Sequence, residues 1–323
     1  MTIKTLIGTA VVSLLFGACV GKPFTEPADG PTVAQDGTSG GLDFPDLGPP
    51  PPKPDGGRCQ EVIDLVFVLD ISSSMSFVLD TLDAEIHKVV SAANKLKTGA
   101  HFGLVAFVDN HRLDKSGPLN GGVVHTAAST LQAAFRHYKQ TYTSANRNPG
   151  DGPTGPTQQN PICEENANDA LHAAATEFPW RTNATRVVIV VTDDTFLERP
   201  DNYGDRDGDG KTDKKDFPRE GDYPAKRLLS ETISELRKAQ VRVFAFTRLL
   251  PPGFFDLLRC GTERRLPWSA VSQGWSQPYG ANAPIPKATG GKNFDLNLVL
   301  GKQLSLTTTV NDVVLKSHCN PIL

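Results

Sequence analysis

The sequence lacks the features that mark several common classes of protein. It carries 33 basic and 36 acidic residues, a net charge of −3, so no basic excess indicates binding to nucleic acid. It has no phosphate-binding glycine loop and no paired nucleophile and base, and its seven histidines form no spaced cluster. These absences exclude several kinds of enzyme, and we expect no catalysis.

The N-terminal residues 1–19 are predicted to be a secretory signal. Lys4 precedes an apolar stretch that is too short to span a membrane, and small residues lead to Cys19. The ending LLFGAC resembles the lipobox of bacterial lipoproteins, whose cysteine carries the acyl chains, palmitate among them. The resemblance implies a lipid anchor in the bacterial cell envelope, at the outer membrane and facing either the periplasm or the cell surface. An ordinary cleaved signal is the alternative.

Two regions of different composition follow the signal. Residues 20–58 are dense in proline, glycine and aspartate without a hydrophobic period, which predicts a disordered tether. Residues 59–323 alternate strand-like and helix-like segments and are predicted to form one domain. The predicted strands are 62–70, 101–109, 186–194, 241–247 and 292–296. The predicted helices are 79–96, 126–140, 165–178, 223–240 and one that ends near Ser317.

This alternation is typical of a doubly wound α/β fold, in which helices cover both faces of a mostly parallel sheet. The segments 62–70 and 186–194 are apolar almost throughout, which indicates strands that are buried on both faces. In such open sheets ligands bind beyond the C-terminal ends of the strands. We therefore expect a functional site where these two strands end.

Oxygen-bearing side chains stand at that predicted edge. Asp70, Ser72 and Ser74 form a D-x-S-x-S motif after the first strand, Asp193 follows RVVIVV, and Glu165 stands at the start of the middle helix. Carboxylate and hydroxyl ligands suit hard cations rather than zinc. The motif alone is usually a capped turn, but its strand context favours a metal site. We expect Mg²⁺ or Mn²⁺ there.

This layout resembles the von Willebrand factor A domain, whose metal-ion-dependent adhesion site begins with D-x-S-x-S. Most of the family carries a threonine where this chain has Glu165, and EENANDAL is similar to the integrin-β form of that segment. Phe77 and Val78 replace the paired aspartates that integrin β carries nearby, so the adjacent inhibitory calcium site is not expected. The resemblance implies a Rossmann-like sheet and a metal that accepts an acidic residue of a protein partner.

A second metal motif, DRDGDGKTDKKD, occupies residues 205–216 and is predicted to be an insertion in the domain. Gly210 stands at the sixth position of a 12-residue calcium loop. The predicted Ca²⁺ ligands are Asp205, Asp207, Asp209, Lys211, Asp213 and Asp216. Lys211 is included because it stands at the seventh position of the loop. The segment resembles the isolated calcium loops of dockerin or thrombospondin repeats. A solvated acidic turn is the alternative.

Five cysteines form an odd set in an exported chain, and lipidation of Cys19 leaves four. In an oxidising compartment four cysteines suggest two disulfides, for which three pairings exist. Their positions relative to the predicted elements favour Cys59–Cys319 at the bottom of the sheet and Cys163–Cys260 at its top. The second disulfide would hold the segment that carries Glu165.

The region 248–285 is long and aromatic, and it follows a predicted strand. Its aromatic residues could anchor a partner or pack this region onto its own domain, and both interpretations stay open. These residues are Phe254, Phe255, Trp268, Trp275 and Tyr279.

The expected function is divalent-cation-dependent protein binding or cell adhesion by a surface-anchored lipoprotein, with the membrane contacted through the lipid. A metal-stabilised scaffold of an envelope assembly is the alternative. A metal-dependent hydrolase or phosphatase with Asp70 as nucleophile is less favoured, because Ser72 stands where haloacid-dehalogenase-like enzymes carry an acid.

Overall fold

A computed structural model describes residues 59–60, 62–97, 99–211, 213, 215–216, 222–253 and 263–318. The chain divides into two units, 1–52 and 53–323, and every described residue belongs to the second. The predicted signal with Cys19 and the predicted tether lie outside the described residues, as do Phe254, Phe255, Cys260 and Cys319. Within the described part of the chain, no helix combines the length and apolar character needed to cross a membrane.

Six strands form one sheet in the order β3-β2-β1-β4-β5-β6. The strands are β1 Val62–Asp70, β2 His101–Phe107, β3 His111–Leu113, β4 Ala184–Val191, β5 Arg242–Thr247 and β6 Asn293–Asp295. Neighbouring strands run parallel except β2 and β3, which are antiparallel. Nearly all residues of β1 and β4 are buried, as expected of central strands with both faces covered.

Helices cover both faces of the sheet. They are α1 Ser76–Leu96, α2 Ala128–Tyr138, α3 Ala167–Glu177, α4 Leu229–Lys238, α5 Ile285–Ala288, α6 Leu296–Leu300 and α7 Leu306–His318. Leu65 and Phe67 of β1 belong to the core under α1, α2 and α7, whereas Val66 and Val68 belong to the core under α3 and α4. Alternate residues of one strand therefore belong to two separate hydrophobic cores, one on each face of the sheet. The predicted doubly wound α/β fold is confirmed.

The winding of the sheet reverses between β1 and β4. β1 is hydrogen-bonded to β2 on one side and to β4 on the other, so the chain winds outward from this point in both directions. Such a topological switch point leaves a crevice at the C-terminal ends of its two strands. Asp70 is the last residue of β1, and Asp193 follows shortly after β4 ends at Val191.

The structure corrects one predicted helix and adjusts the start of another. Residues 223–228 are not helical: Tyr203 N donates to Tyr223 O at 2.9 Å, and Ala225 N donates to Asp201 O at 2.8 Å. The helix predicted over 223–240 is therefore wrong at its start, because the backbone of this segment is hydrogen-bonded to residues 201–203. Helix α4 begins at Leu229. Glu165 stands just before α3, whose N-cap is Asn166.

Two cysteines are described, and both are disulfide-bonded: Cys59 and Cys163. Gln60 N donates to His318 O at 3.1 Å, and Cys163 N donates to Glu263 O at 3.0 Å. Each contact brings a bonded cysteine to the chain segment that holds its predicted partner. The pairings Cys59–Cys319 and Cys163–Cys260 stay predictions, because both partners lie outside the described residues.

Candidate metal centre

Asp70 is held in a fixed orientation by hydrogen bonds from two different loops. Ser72 N donates to its Oδ1 at 2.8 Å, and Thr192 Oγ1 donates to its Oδ2 at 2.9 Å. The side chain is wholly buried. Burial raises the pKa of Asp70 to about 6, and the hydrogen bonds from Ser72 and Thr192 oppose that rise. Asp70 thus joins the ends of β1 and β4.

The two serines of the D-x-S-x-S motif lie side by side. Ser72 Oγ and Ser74 Oγ are 3.1 Å apart. Ser72 stands at the N-cap of the short 3₁₀ turn Ser73–Met75, yet its side chain makes no capping hydrogen bond. The turn is instead capped by Asp70, which accepts the Ser72 amide, and the Ser72 hydroxyl makes no capping hydrogen bond.

Glu165 and Asp193 each bury a carboxylate oxygen that has no hydrogen-bond partner among the described residues, namely Glu165 Oε2 and Asp193 Oδ2. Burial raises the pKa of Glu165 well above its usual value, and the negative charge of Asp70 raises it further. Burial and the charge of Asp70 likewise raise the pKa of Asp193 to about 7, although a hydrogen bond from Ser74 and the charge of Arg248 oppose that rise. A buried carboxylate oxygen that lacks a hydrogen-bond donor is stabilised by a proton or by a cation.

A neighbouring aspartate is compensated within the protein. Arg264 donates to both carboxylate oxygens of Asp194, with 2.9 Å between Nη2 and Oδ1, and its Nη2 lies 3.5 Å from Glu164 Oε1. Burial raises the pKa of Asp194 to about 7, and the hydrogen bond and charge of Arg264 oppose that rise. Arg264 therefore partly compensates Asp194, the neighbour in sequence of Asp193.

The structure brings all five predicted ligands of the top-face site to the switch point. Ser74 lies against Ser72 and close enough to Asp193 to lower the pKa of that carboxyl, and Asp70 raises the pKa values of both Asp193 and Glu165. Their carboxylates do not form one tight group with all oxygens within 4.8 Å, as those of the second motif do. Because two of the five side chains carry hydroxyls and two carboxylate oxygens have no partner in the described part of the chain, the set fits a hard divalent cation.

The second motif forms a loop closed by its own backbone. Asp205, Asp207 and Asp209 each place a carboxylate oxygen within 4.8 Å of the others. Asp205 accepts the amides of Gly208 and Gly210, both at 2.9 Å. Gly210 has a φ of +83°, a left-handed conformation that glycine adopts without strain. The sixth position of the predicted calcium loop therefore makes the turn that its spacing requires.

The remaining predicted calcium ligands lie in the second half of the loop and are also hydrogen-bonded within it. Asp216 accepts hydrogen bonds from the amides of Arg206 at 2.9 Å and Asp213 at 2.7 Å. Backbone hydrogen bonds, that from Asp213 first, lower the pKa of Asp216. Lys211 N donates to Asp209 Oδ1 at 2.9 Å. The loop is thus an acidic cluster whose carboxylates are largely satisfied by its own N–H groups.

Two aromatic residues of the 248–285 region pack onto the domain itself. Trp275 is buried and donates its Nε1 hydrogen to Asp194 O at 2.9 Å. Phe196 lies between it and Tyr279, with ring centroids 5.3 Å and 5.0 Å away, respectively. For these residues the packing interpretation holds, and they support the loop that carries Asp194. Trp268 instead lies under the Arg264 guanidinium, 4.3 Å from its ring centroid.

Scans against protein-family models and against curated proteins give no match. Solved structures do resemble the chain. A von Willebrand factor type A structure from Catenulispora acidiphila is 15 % identical with a TM-score of 0.40, covering 80 % of this chain and 43 % of the other. An aerotolerance-related membrane protein from Bacteroides fragilis is 13 % identical with a TM-score of 0.41, covering 80 % and 98 %.

Proximal thread matrix protein 1 from the mussel byssus is 12 % identical with a TM-score of 0.41, covering 81 % of this chain and 49 % of the other. This chain therefore spans less than half the length of two of the three proteins. In this chain itself, the β3-β2-β1-β4-β5-β6 sheet with its antiparallel edge strand carries D-x-S-x-S at the end of its central strand. The domain has a Rossmann-like α/β fold with a six-stranded, mostly parallel sheet.

Two residues of the candidate centre were not found from the sequence. Thr192 donates to Asp70, and Arg264 compensates Asp194. Thr192 had a local signal, since it directly precedes Asp193 at the end of a buried strand. Arg264 had none, because its contact with Asp194 spans 70 residues of sequence.

Proposed function

We propose that this chain is an envelope-anchored lipoprotein whose von Willebrand factor A domain binds a protein partner in a cation-dependent manner. The observation that carries the proposal is the pair of buried, unpartnered oxygens of Glu165 and Asp193. They belong to the cluster that also contains Asp70 and the hydroxyls of Ser72 and Ser74. Such a cluster is stabilised by a dication, and it lies where ligands bind in this class of sheet.

Each proposed ligand has a distinct role. Asp70, Ser72, Ser74, Glu165 and Asp193 would hold Mg²⁺ or Mn²⁺, which when bound offers a coordination position to an acidic side chain of the partner. Asp70 fixes the loop after β1 by accepting the Ser72 amide, and Thr192 fixes Asp70. Asp194 is not among the proposed ligands, because its carboxylate accepts hydrogen bonds from Arg264.

We propose binding rather than catalysis. In a phosphatase of the type considered above, Asp70 would attack substrate, yet both of its oxygens accept hydrogen bonds from its own loops. Ser72 stands where that mechanism needs an acid. These observations support a site whose carboxylates hold a cation and do not react.

Capture of partners on the immobilised full-length chain tests the proposal. Mg²⁺ should support capture, and both EDTA and Asp70→Ala should abolish it. The metal-stabilised scaffold makes a different prediction: its metal stabilises loops only, so capture should be the same in EDTA as in Mg²⁺. Equal capture under both conditions would therefore exclude the adhesion-type function.

We further propose that the 205–216 loop binds Ca²⁺. The convergence of Asp205, Asp207 and Asp209 and the left-handed turn at Gly210 support this. The proposed ligands also include Asp213, Asp216 and Lys211, the last through its backbone. By analogy with extracellular calcium modules, the expected dissociation constant is roughly 10⁻⁴–10⁻³ M.

The anchoring part of the proposal rests on the LLFGAC ending and on Cys19 as the odd cysteine. Cys19→Ser should leave the chain without acyl groups, in the soluble fraction or with its signal uncleaved. Fractionation with metabolic labelling by palmitate measures both outcomes. Unchanged labelling and unchanged membrane association in the variant would contradict the lipid anchor.

A further inference from the structure

Tyr203 is a buried tyrosine in the segment between β4 and α4. Its side chain is wholly buried in a small hydrophobic cluster with Ile162, Leu197 and Ala225. It stands two residues before Asp205, the first proposed Ca²⁺ ligand. A buried tyrosine usually has a hydrogen-bond partner for its hydroxyl, so the partners of this hydroxyl indicate which parts of the chain the residue holds together.

The hydroxyl of Tyr203 lies between the segment of Glu165 and the loop that follows β4. It accepts the Leu197 amide at 2.9 Å, and it lies 3.1 Å from the carbonyl oxygen of Glu165 and 3.2 Å from that of Leu197. A phenol has one hydrogen to donate, and the Glu165 oxygen is the nearer of the two acceptors. The loop with Leu197 also carries the proposed ligand Asp193. One hydroxyl therefore joins the segments of two proposed metal ligands.

The backbone of Glu165 is held by three hydrogen bonds. Its N–H donates to Thr195 O at 3.2 Å, and its carbonyl oxygen accepts Ala167 N at 2.8 Å and the Tyr203 hydroxyl. Its carboxylate oxygen Oε2, in contrast, has no hydrogen-bond partner among the residues that the structure describes. The direction in which Oε2 points therefore depends on where the backbone of Glu165 is held.

Tyr203 is itself held in place by its main chain. Its N–H donates to Tyr223 O at 2.9 Å, and its carbonyl oxygen accepts a hydrogen from Asn160 Nδ2. Together with the burial of the ring, these contacts fix the position of the hydroxyl. A residue that orients a metal ligand is effective only when its own position is fixed, and Tyr203 meets that condition.

We propose that Tyr203 is a positioning residue of the metal centre, whose hydroxyl holds the backbone of Glu165 so that Oε2 faces the cation. The proposal rests on the proposed function, because it assigns Tyr203 a role toward the ion that the five ligands would bind. The phenol is not a ligand itself, and its effect on the ion is exerted through Glu165.

Tyr203→Phe removes the hydroxyl and keeps the ring in its hydrophobic cluster. Loss of a residue that hydrogen-bonds to a metal ligand typically weakens metal binding 10- to 100-fold. This contact is to the backbone of the ligand, and the Ala167 contact remains. We therefore expect the Mg²⁺ affinity of the full-length chain to fall about three- to tenfold. Calorimetry measures the affinity, and circular dichroism verifies that the fold is retained.

Tyr223→Phe is the matched control. It makes the same chemical change, but the hydroxyl of Tyr223 donates to Asp151 Oδ2 at 2.6 Å and not to the segment of a proposed ligand. Tyr223→Phe should leave the Mg²⁺ affinity unchanged. Equal decreases in Mg²⁺ affinity in Tyr203→Phe and Tyr223→Phe would overturn the proposal.

A double-mutant cycle with Glu165→Gln separates positioning of Glu165 from a general loosening of the domain. If Tyr203 acts through Glu165, its hydroxyl matters less once the carboxylate is replaced by a weaker, neutral ligand. Tyr203→Phe should then lower the Mg²⁺ affinity of the Glu165→Gln chain by less than about twofold. A general structural effect would lower the Mg²⁺ affinity by the same factor in both backgrounds, and that result would also overturn the proposal.

Failure of this proposal and failure of the proposed function give different results. Mg²⁺ binding by the unmodified chain that is equally tight in Tyr203→Phe would reject the positioning role and leave the metal centre intact. Absence of Mg²⁺ binding by the unmodified chain would reject the metal centre and, with it, the role of Tyr203.

Discussion

The two candidate cation sites use the same carboxylate chemistry in opposite environments. At the switch point, Glu165 and Asp193 are buried, and each has an oxygen for which the described residues provide no hydrogen-bond partner. In the 205–216 loop, Asp207 and Asp209 are exposed, and the loop carboxylates accept amide hydrogens from within the loop. Burial raises pKa values at the first site, whereas backbone hydrogen bonds lower the pKa of Asp216 in the second.

The difference decides how strongly each site depends on its cation. Amide groups already stabilise the buried carboxylates of Asp205 and Asp216, and Asp207 and Asp209 are exposed to solvent. A bound ion therefore adds little to the stability of the loop. The buried site has no such substitute for Glu165 Oε2 and Asp193 Oδ2, and a dication would relieve both the repulsion and the unpartnered oxygens. We therefore expect loss of the ion to have large effects at the switch point and small effects in the loop.

The largest expected effect is that of Asp70→Ala. Substitution of a residue that hydrogen-bonds to a metal ligand typically weakens metal binding 10- to 100-fold. Loss of a proposed ligand itself should cost more, so Asp70→Ala should weaken Mg²⁺ binding by more than about 100-fold. Asp205→Ala in the loop should leave Mg²⁺ binding at the switch point unchanged. Calorimetry measures both affinities, and circular dichroism verifies that the fold is retained, since Asp70 is wholly buried. Similar losses of Mg²⁺ affinity in the two variants would contradict the comparison.

The adjacent pair Glu164 and Glu165 offers a sharper test within one segment. Glu164 accepts the amides of Leu266 at 2.8 Å and Arg265 at 3.2 Å, whereas Glu165 Oε2 has no hydrogen-bond partner within the described ranges. Glu165→Gln should lower Mg²⁺ affinity about tenfold or more. Glu164→Gln retains an acceptor oxygen for the nearer amide, that of Leu266, and loses the one for Arg265. It should leave Mg²⁺ affinity nearly unchanged, and circular dichroism verifies that the fold is retained.

Glu165→Gln should also affect partner binding in the opposite direction. Three carboxylates around a dication give the site a net charge of about −1, and the substitution brings it to about zero. At saturating Mg²⁺ an acidic partner residue should then bind at least as tightly as to the unmodified chain. An unchanged Mg²⁺ affinity in Glu165→Gln would show that Glu165 is not a ligand.

The sequence predicted most of the fold because its signals are local. The apolar run of β1 gave both ends of that strand, Val62 and Asp70, and the helical spacing gave the end of α1 at Leu96. The edge strand His111–Leu113 was missed because it is three residues long and pairs, among the described strands, with β2 alone. The extended path of Tyr223 was missed because its backbone partner, Tyr203, comes from a distant loop.

The same distinction applies to the candidate centre. Asp70, Ser72 and Asp193 were predictable from their positions at strand ends, and Glu165 from its resemblance to a family motif. The Arg264 contact with Asp194, the unpartnered oxygens and the Tyr203 contact with Glu165 arise only when segments far apart in sequence meet. Residue spacing carries no information about such contacts.

The pH dependence of stability should have opposite signs at the two sites. A carboxyl whose pKa is raised in the folded state, such as Asp193 at about 7, retains its proton where the unfolded chain has lost it. The folded state then binds more protons, so in EDTA the free energy of unfolding falls as pH rises from about 4 to 7. Asp216, with its lowered pKa, contributes stability above about pH 4 that is lost on further acidification.

Melting in EDTA at pH 5 and pH 8 measures the first of these effects. We expect a decrease in Tm on the order of 5 °C at the higher pH, and Mg²⁺ should reduce that decrease by stabilising the ionised carboxylates. Asp193→Asn should also reduce it, whereas Asp312→Asn, the control on α7, should not. A Tm in EDTA that is equal or higher at pH 8 would contradict the raised pKa values at the switch point.

The smallest expected effect is that of Ca²⁺ on the loop. Because Asp205 and Asp216 are already held by amide hydrogens, the loop should keep its path without the ion and gain only modest protection. With a dissociation constant of 10⁻⁴–10⁻³ M, about 1 mM Ca²⁺ should slow tryptic cleavage after Lys211 and Lys215 roughly two- to tenfold. Asp207→Asn should remove that protection, whereas Asp222→Asn, outside the loop, should retain it. Cleavage at equal rates with and without Ca²⁺ would make the loop a solvated acidic turn, and protection of 100-fold or more would mean that the loop depends on its ion as strongly as the buried site does.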